Sequence, residues 1–324
     1  MYSIKDDSHP DIVDEIALRL RSRFGATVHL LLENQHNEPE RLVRRSHKPV
    51  LYTAQWNDDV HHVLHVAATQ EKSGYYADYG ETELLARALG EGFAYQGDIS
   101  PYRGAPRGGA SAELPPGAFV AFIQNHDQIG NRAFGERLTA LASASANRAL
   151  ASVYLLLPQT PMLFMGEEWG SEQPFPFFYD FEGELAEAVR QGRRKEFARF
   201  PEFADPERAA KMPDPIAEKT FLLAKLDWSG IDAERLGFYR AALAAREEHV
   251  RPLLPKIERG GEGEVLGEQA VRVVWRAGAR RLILDANLAD GRIAFPETTG
   301  VFWRCGETEA EFGPWSVRWS IGEP

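Results

Sequence analysis

Phe122-Ile-Gln-Asn-His-Asp-Gln-Ile-Gly-Asn-Arg132 is the segment from which the predicted architecture follows. A short apolar run, residues 118–123, ends abruptly in Asn125-His126-Asp127. A buried strand that delivers adjacent polar groups at its carboxyl end is typical of a β/α barrel, whose active site lies on that face. An amide, an imidazole and an acid side by side suit the binding of neighbouring hydroxyl groups, as on a sugar ring. The alternative interpretation is a strand that simply exits into a polar turn at Gly130.

Further apolar runs predict strands of the same kind at residues 27–33, 50–56 and 161–166. Helices are predicted around residues 10–24, 60–69, 81–90, 142–157 and 233–248. In the first helix, Ile12, Ile16 and Leu20 recur every four residues and form the predicted apolar stripe. Strands that alternate with helices predict a parallel sheet with helical crossovers.

The pattern changes to a period of two near the carboxyl end of the chain. Apolar and polar residues alternate at 271–275, 282–284 and 315–319, and glycine-containing or acidic turns separate these segments. We therefore expect an α/β part over residues 1–254 and a small antiparallel, β-sandwich-like domain over residues 255–324.

Composition narrows the class of protein. The 324 residues are 44% hydrophobic with a formal net charge of -11, which argues against nucleic acid or an anionic membrane as the partner. The single cysteine, Cys305, excludes an intramolecular disulfide and fits a reducing compartment. The sequence shows no secretory signal pattern, and no apolar run approaches the roughly 18 residues of a membrane span. We expect a cytoplasmic protein.

Acidic side chains follow three of the predicted strands. Glu33 ends the first run, Asp58 and Asp59 follow the second, and His126-Asp127 follows the third. The carboxyl ends of parallel barrel strands share one face, so these groups are expected on the same face. Glycoside cleavage requires carboxylates on opposite sides of the scissile bond, one of them protonated.

An ordered series of segments extends this pattern over nearly the whole chain: KDDSHPDIVDEIA, HLLLENQHNEP, AQWNDDVHHVLH, SGYYADYG, FIQNHDQIGNRAFGERL, TPMLFMGEEWG, GRRKEF and DPIAEKTFLLAKLDW. Their order and spacing resemble the α-amylase family of retaining glycosidases, and within it the hydrolases that release trehalose from malto-oligosyltrehalose. The resemblance implies the second half of a TIM-type (β/α)8 barrel over residues 1–254, followed by the β domain.

The resemblance also implies roles for individual residues. Glu33 would be the general acid/base, and Asp127 would hold vicinal hydroxyls and stabilise positive charge in the transition state. His126, with its neighbour Asn125, would bind the same sugar. Further substrate contacts are expected from Trp56, Asp58, Asp59, His61, Phe178 and Arg194. The expected partner is malto-oligosyltrehalose or a related α-glucan, and neither a cofactor nor a metal is expected.

One family feature does not occur in this sequence. The nucleophilic aspartate of the family ends the strand before KDDSHPD, in a motif of the type R-x-D-A-x-x. That position falls upstream of Met1, and Asp6 and Asp7 lie in the following connection. Without the nucleophile no glycosyl-enzyme forms by the family's route. We expect these residues alone to lack activity, and to aggregate, to dimerise through an open sheet or to require an N-terminal half-barrel chain.

Other interpretations stay open at this point. His61, His62 and His65 could bind a metal, although a zinc-hydrolase signature would place a glutamate where His62 stands. The aromatic cluster at 175–181 could be loop core or could stack on sugar faces. The functional alternatives are a branching or maltogenic enzyme, a non-catalytic glucan-binding remnant and a metal-dependent barrel hydrolase.

Overall fold

The computed structural model describes residues 4–197, 207 and 210–323. The chain divides into two compact units. Unit 1 comprises residues 1–123, 148–162 and 241–324, and unit 2 comprises residues 124–147 and 163–240.

A four-stranded parallel sheet forms the first layer of unit 1. Its strands are β1 (Leu31–Leu32), β2 (Ala54–Trp56), β3 (Phe119–Ala121) and β4 (Thr160–Pro161), in the order β1-β2-β3-β4. All three pairings are parallel. The prediction of four parallel strands is confirmed, but each strand is shorter than its apolar run. At the first run, a 3-10 turn over Gly25–Thr27 includes the first residue of the predicted strand.

Described helices lie before β1, between β2 and β3 and between β3 and β4, whereas β1 and β2 are joined without an α-helix. Their bounds are α1 (Ile12–Phe24), α2 (Asp58–Thr69), α3 (Thr82–Glu91), α4 (His126–Gly130), α5 (Leu138–Leu141), α6 (Ala144–Tyr154), α7 (Gly183–Phe197), α8 (Glu218–Leu223) and α9 (Ala233–Ala245). Among the described residues, no helix combines the length and the apolar character needed to cross a membrane.

The predicted apolar stripe of α1 is wrong. Ile12 and Ile16 are 43% and 52% exposed, whereas Ala17 is buried and Val13 packs against the core of unit 1. Tertiary contacts select the neighbouring stripe, because the Tyr52 hydroxyl donates to Val13 O (2.7 Å). Asp11 caps the amino end of α1, and Gly25 follows its last turn with φ 61°.

A tight aromatic core lies beneath the parallel sheet. Phe93 and Phe119 meet edge to face with ring centroids 5.1 Å apart. Gly92 has φ 99°, and a Cβ there would lie 2.3 Å from the Phe119 ring. Both the backbone conformation and the close approach of the ring therefore require glycine.

The second sheet of unit 1 is antiparallel, as predicted for the carboxyl-terminal segment. Its strands are β5 (Glu262–Gly267), β6 (Ala270–Ala277), β7 (Arg280–Asn287), β8 (Val301–Cys305) and β9 (Ser316–Gly322), in the order β8-β9-β7-β6-β5. The indoles of Trp275 and Trp319 stack 5.8 Å apart. Trp275 Nε1 donates to Gly90 O (3.3 Å) on α3 and Trp319 Nε1 to Ser152 O (2.8 Å) on α6. These bonds dock the sheet on two helices within unit 1.

Unit 2 consists of helices and long loops built around a buried acid. Glu167 is 1% exposed, and its carboxylate accepts hydrogen bonds from Tyr239 OH (3.1 Å) and Gln124 Nε2 (3.1 Å). Burial, and next the neighbouring Glu167 charge, raise the pKa of Tyr239 well above its usual value. Its hydroxyl therefore stays protonated as the donor. Glu167 thus joins three segments of unit 2.

Candidate active site

Glu33 lies one residue beyond β1 and is exposed, whereas its neighbours Leu32 and Asn34 are each 2% exposed. Asn34 Nδ2 donates to Glu38 Oε2 (2.8 Å), and Gln55 Nε2 donates to Asn34 O (2.8 Å). Leu32, on the other side, pairs with Gln55 in the sheet. The backbone is therefore anchored before and after Glu33. This is the placement that a general acid requires.

Trp56 ends β2 and Asp58 begins α2, and both are partly exposed. The Trp56 ring meets Phe122 edge to face at 6.1 Å. Asn57, between Trp56 and Asp58 in the sequence, is fully buried. Its Nδ2 donates to Gly92 O (2.8 Å) and Gln159 Oε1 (3.0 Å). Sequence reasoning missed Asn57, although asparagine directly before a helix is an N-cap signal.

Asp59 is fully buried and accepts hydrogen bonds through both carboxylate oxygens. One oxygen accepts from Tyr79 OH (2.8 Å) and pairs with Arg107 Nη2 (2.7 Å). The other accepts from Asn37 Nδ2 (3.0 Å) and Ala94 N (2.8 Å). The expectation of a direct substrate contact needs correction, because no oxygen of Asp59 is open to a ligand. Its role is to position α2.

Arg107 completes this buried network and was not anticipated. Its guanidinium is 7% exposed and lies over the rings of Tyr79 (5.6 Å) and Tyr95 (5.7 Å). Burial, and next the nearby carboxylate of Asp78, raise the pKa of Tyr95 above its usual value. Nothing in the sequence around Arg107 marks it as the partner of an aspartate 48 positions earlier.

The three histidines of α2 each have a protein partner. His61 is 1% exposed, and Nδ1 donates to Ile123 O (2.7 Å) while Nε2 lies 3.0 Å from Tyr76 OH. His65 Nε2 donates to Glu71 Oε2 (2.7 Å). Burial is the main reason that the pKa of His62 falls to about 3. Within the described ranges, no group of three His, Cys, Asp or Glu side chains could hold a metal. His61, like Asp59, is reassigned from substrate contact to support.

Asn125, His126 and Asp127 form the start of α4 in unit 2. Asn125 Oδ1 accepts from the backbone N–H groups of Asp127 (2.8 Å) and Gln128 (3.3 Å), and Asn125 is 3% exposed. The side chains of His126 and Asp127 are 52% and 51% exposed, with Nε2 and Oδ1 3.8 Å apart. Asn125 therefore positions the pair as an N-cap rather than binding sugar itself, whereas His126 and Asp127 are open to a ligand.

The aromatic loop of unit 2 divides into a packed and an open part. Phe178 lies between Phe175 (5.7 Å) and Phe221 (5.2 Å), which is loop packing. Phe177 and Phe181 are 39% and 46% exposed. Phe178 is therefore packed within the loop, and Phe177 and Phe181 are the more exposed rings.

Arg193, rather than its neighbour Arg194, contacts the α4 region of unit 2. Arg193 donates to Asn131 Oδ1 (3.1 Å) and to Gly130 O (3.0 Å), and its guanidinium lies 4.9 Å from the Phe177 ring. Arg194 is exposed on the last turn of α7. The two arginines are adjacent, and only the rotation of α7 distinguishes them.

Comparison with known proteins gives consistent matches. The chain is 40% identical over 290 residues to the malto-oligosyltrehalose trehalohydrolase of Deinococcus radiodurans, covering 86% of this chain and 46% of the relative. It is 36% identical over 319 residues to the enzyme of the same name from Arthrobacter ramosus, covering 96% and 53%. The chain belongs to the malto-oligosyltrehalose trehalohydrolase family. It spans about half the length of the trehalohydrolases that it matches.

Solved structures agree with this assignment of family and fold. A Salmonella typhimurium protein described as a candidate α-amylase superimposes with a TM-score of 0.93 at 39% identity, over 100% of this chain and 56% of that one. An isomaltulose synthase from Protaminobacter rubrum, 13% identical with a TM-score of 0.55 over 95% and 57% of the two chains, shares the fold. Residues 258–319 match the family described as a domain of unknown function, DUF3459. The fold is the second half of a TIM-type barrel followed by an antiparallel β domain.

Proposed function

We propose that this chain provides the acid/base part of a glycoside hydrolase that cleaves the α-1,4 bond next to the trehalose end of malto-oligosyltrehalose, with retention. One observation carries the proposal: Glu33 projects, exposed, from the carboxyl end of a parallel strand whose flanking residues are buried and hydrogen-bonded. The names of the trehalohydrolase relatives support the choice of substrate.

Glu33 performs two proton transfers in this proposal. As the acid it protonates the glycosidic oxygen, so that the sugar chain departs as an alcohol while a carboxylate nucleophile takes the anomeric carbon. As the base it then removes a proton from the water that attacks the glycosyl-enzyme. The nucleophile in this proposal is the aspartate of the family motif R-x-D-A-x-x, supplied by a strand of an amino-terminal half barrel in the same or another polypeptide.

Asp127 and His126 bind the sugar whose anomeric carbon reacts. A half-exposed carboxylate beside an imidazole accepts and donates hydrogen bonds to adjacent hydroxyls. As positive charge develops on the ring, the Asp127 carboxylate stabilises it more than it stabilises the neutral ground state. Trp56 and Asp58 are further proposed substrate contacts of unit 1.

Asp127→Asn is expected to lower kcat by at least about tenfold with a smaller change in KM, because the lost charge acts in the transition state. The assay uses a fusion protein in which the amino-terminal part of the Deinococcus radiodurans relative precedes residue 4, and it measures trehalose release. Asp232→Asn is the matched control, since Asp232 caps α9 and asparagine caps equally well. An effect on KM alone would show that Asp127 only binds substrate.

The exposed edge of the parallel sheet predicts an additional strand. Within the described part of the sheet β1 pairs only with β2, and Leu31 on that edge is 53% exposed. At the other edge Pro161 lacks an N–H group and so offers less to a further strand. Parallel sheets are normally covered, and open edges recruit other chains. We propose that a strand of an amino-terminal half barrel occupies the β1 edge.

Sedimentation of the purified chain should show self-association that decreases in Leu31→Lys, since a lysine protects an exposed edge. Addition of the amino-terminal half from the relative should instead give a 1:1 complex and restore trehalose release. Leu185→Lys, at a 53% exposed leucine on α7, is the control. A chain that is monomeric and fully active without any partner would refute the proposed pairing.

A further inference from the structure

Unit 1 contains a cavity of about 400 Å³, lined by both polar and apolar groups, at the β5–β6 turn of the carboxyl-terminal sheet. A volume of this size is within the range of small-molecule sites, roughly 300–1,000 Å³. Six residues define its chemistry: Gln70, Glu268, Gln269, Asp290, Arg292 and Trp315. None of them belongs to the candidate active site, and most lie inside the segment matched to the domain of unknown function.

Three turns that would favour glycine carry large side chains at this cavity. Six described non-glycine residues have a positive φ, and three of them line it: Gln70 (58°), Gln269 (50°) and Trp315 (54°). Left-handed backbone is costly for such residues and concentrates at ligand sites. Gln70, Gln269 and Trp315 therefore occupy backbone positions at which a purely structural turn would favour Gly or Asn.

The cavity presents mainly hydrogen-bond acceptors. Trp315 Nε1 donates to Asp290 Oδ1 (2.8 Å), which orients the carboxylate and leaves its second oxygen open. Gln70 Nε2 donates to Ala67 O (3.0 Å), so its side-chain oxygen is the open end. In the described part of the chain no group donates to the exposed Glu268 carboxylate. A ligand here must supply several donors.

The charged side chains around the cavity distinguish between an anion, a cation and a neutral molecule as its ligand. Arg292 is paired with Glu307 at the surface, and the cavity also holds the carboxylates of Glu268 and Asp290, so its lining disfavours an anionic ligand. Within the described residues no triad of acidic or other metal-binding side chains forms, which disfavours a cation. A neutral polyol donates hydroxyls to the acceptors and can place a C–H face against the half-buried indole.

We propose that this cavity is a secondary binding site for glucose units of an α-glucan chain. The choice of glucan rests on the proposed function, whereas the cavity and its acceptors do not. The site would hold the polymer on the β domain while another part of the chain is processed, which raises the local substrate concentration.

Affinity electrophoresis of the full chain in gels containing amylose tests this site. Gln70→Gly and Glu268→Gln should each weaken retardation, and together they should lower the affinity by about tenfold or more. Gln70→Gly should not lower Tm, because glycine suits φ 58°. Glu264→Gln, on the exposed surface of β5 outside the cavity, is the matched control.

The outcomes separate this inference from the proposed function. Weaker retardation in the cavity variants, with trehalose release from a short substrate unchanged in the fusion protein, supports the site. Retardation equal to that of the parent chain refutes it, even if the fusion protein is a trehalohydrolase. The fusion protein could also bind amylose through the cavity and yet fail to hydrolyse malto-oligosyltrehalose. That result would refute the proposed function but support the binding site.

Discussion

Glu33→Gln in the fusion protein is expected to lower turnover by roughly 10²–10⁴-fold, the contribution of a general acid/base. The amide keeps the shape of the side chain but can neither protonate the glycosidic oxygen nor deprotonate water. Folding should be unaffected, because Glu33 is exposed and the anchoring bonds of Asn34 do not involve its carboxyl group. Steady-state release of trehalose, with far-UV circular dichroism of both proteins, measures the effect.

Substrates with an activated leaving group make this test specific. An activated aryl glycoside needs little protonation, so Glu33→Gln should slow the first step on it far less than on malto-oligosyltrehalose. Glu40→Gln, an exposed glutamate seven residues away, is the matched control. Near-normal turnover of Glu33→Gln on the natural bond would remove Glu33 from the acid role. The reaction products distinguish a hydrolase from a branching enzyme, because release of trehalose indicates hydrolysis and new branch points indicate glucan transfer.

Asp59→Asn is expected to destabilise unit 1 by about 3–5 kcal/mol, the cost of breaking a buried ion pair by removing one partner. The substitution leaves the buried Arg107 guanidinium without its charge partner and turns one acceptor toward Arg107 or Ala94 N into a donor. Urea unfolding monitored by circular dichroism measures the loss in the fusion protein.

A surface ion pair in the same unit provides the control for Asp59. Asp98 pairs with Arg87 (2.6 Å) while both side chains are substantially exposed, so Asp98→Asn should cost at most about 1 kcal/mol. The double variant Asp59→Asn/Arg107→Gln should recover part of the loss, because it removes the unpaired cation. If Asp59→Asn raised KM and left stability unchanged, Asp59 would be a substrate contact after all.

The fold was predictable from local patterns because those patterns report backbone periodicity. Four apolar runs interspersed with helical segments were sufficient to predict the parallel sheet. Apolar residues at every second position were sufficient to predict the antiparallel sheet. The place of Glu33 followed in the same way, because a residue just past a strand reaches the functional face of a barrel. Its role as the acid/base and that of Asp127 remain predictions until the variants are measured.

Tertiary contacts determined the functions of neighbouring residues of the same type. Asp58 and Asp59 are adjacent aspartates, yet Asp59 is buried because Arg107 pairs with it from a distant loop. Arg193 rather than Arg194 contacts the α4 region because of the rotation of α7. The stripe of α1 that faces the core contains Val13 instead of Ile16 for the same kind of reason. Periodicity identifies an element from a few residues nearby, whereas burial and pairing depend on residues far apart in the chain, which meet only when it folds.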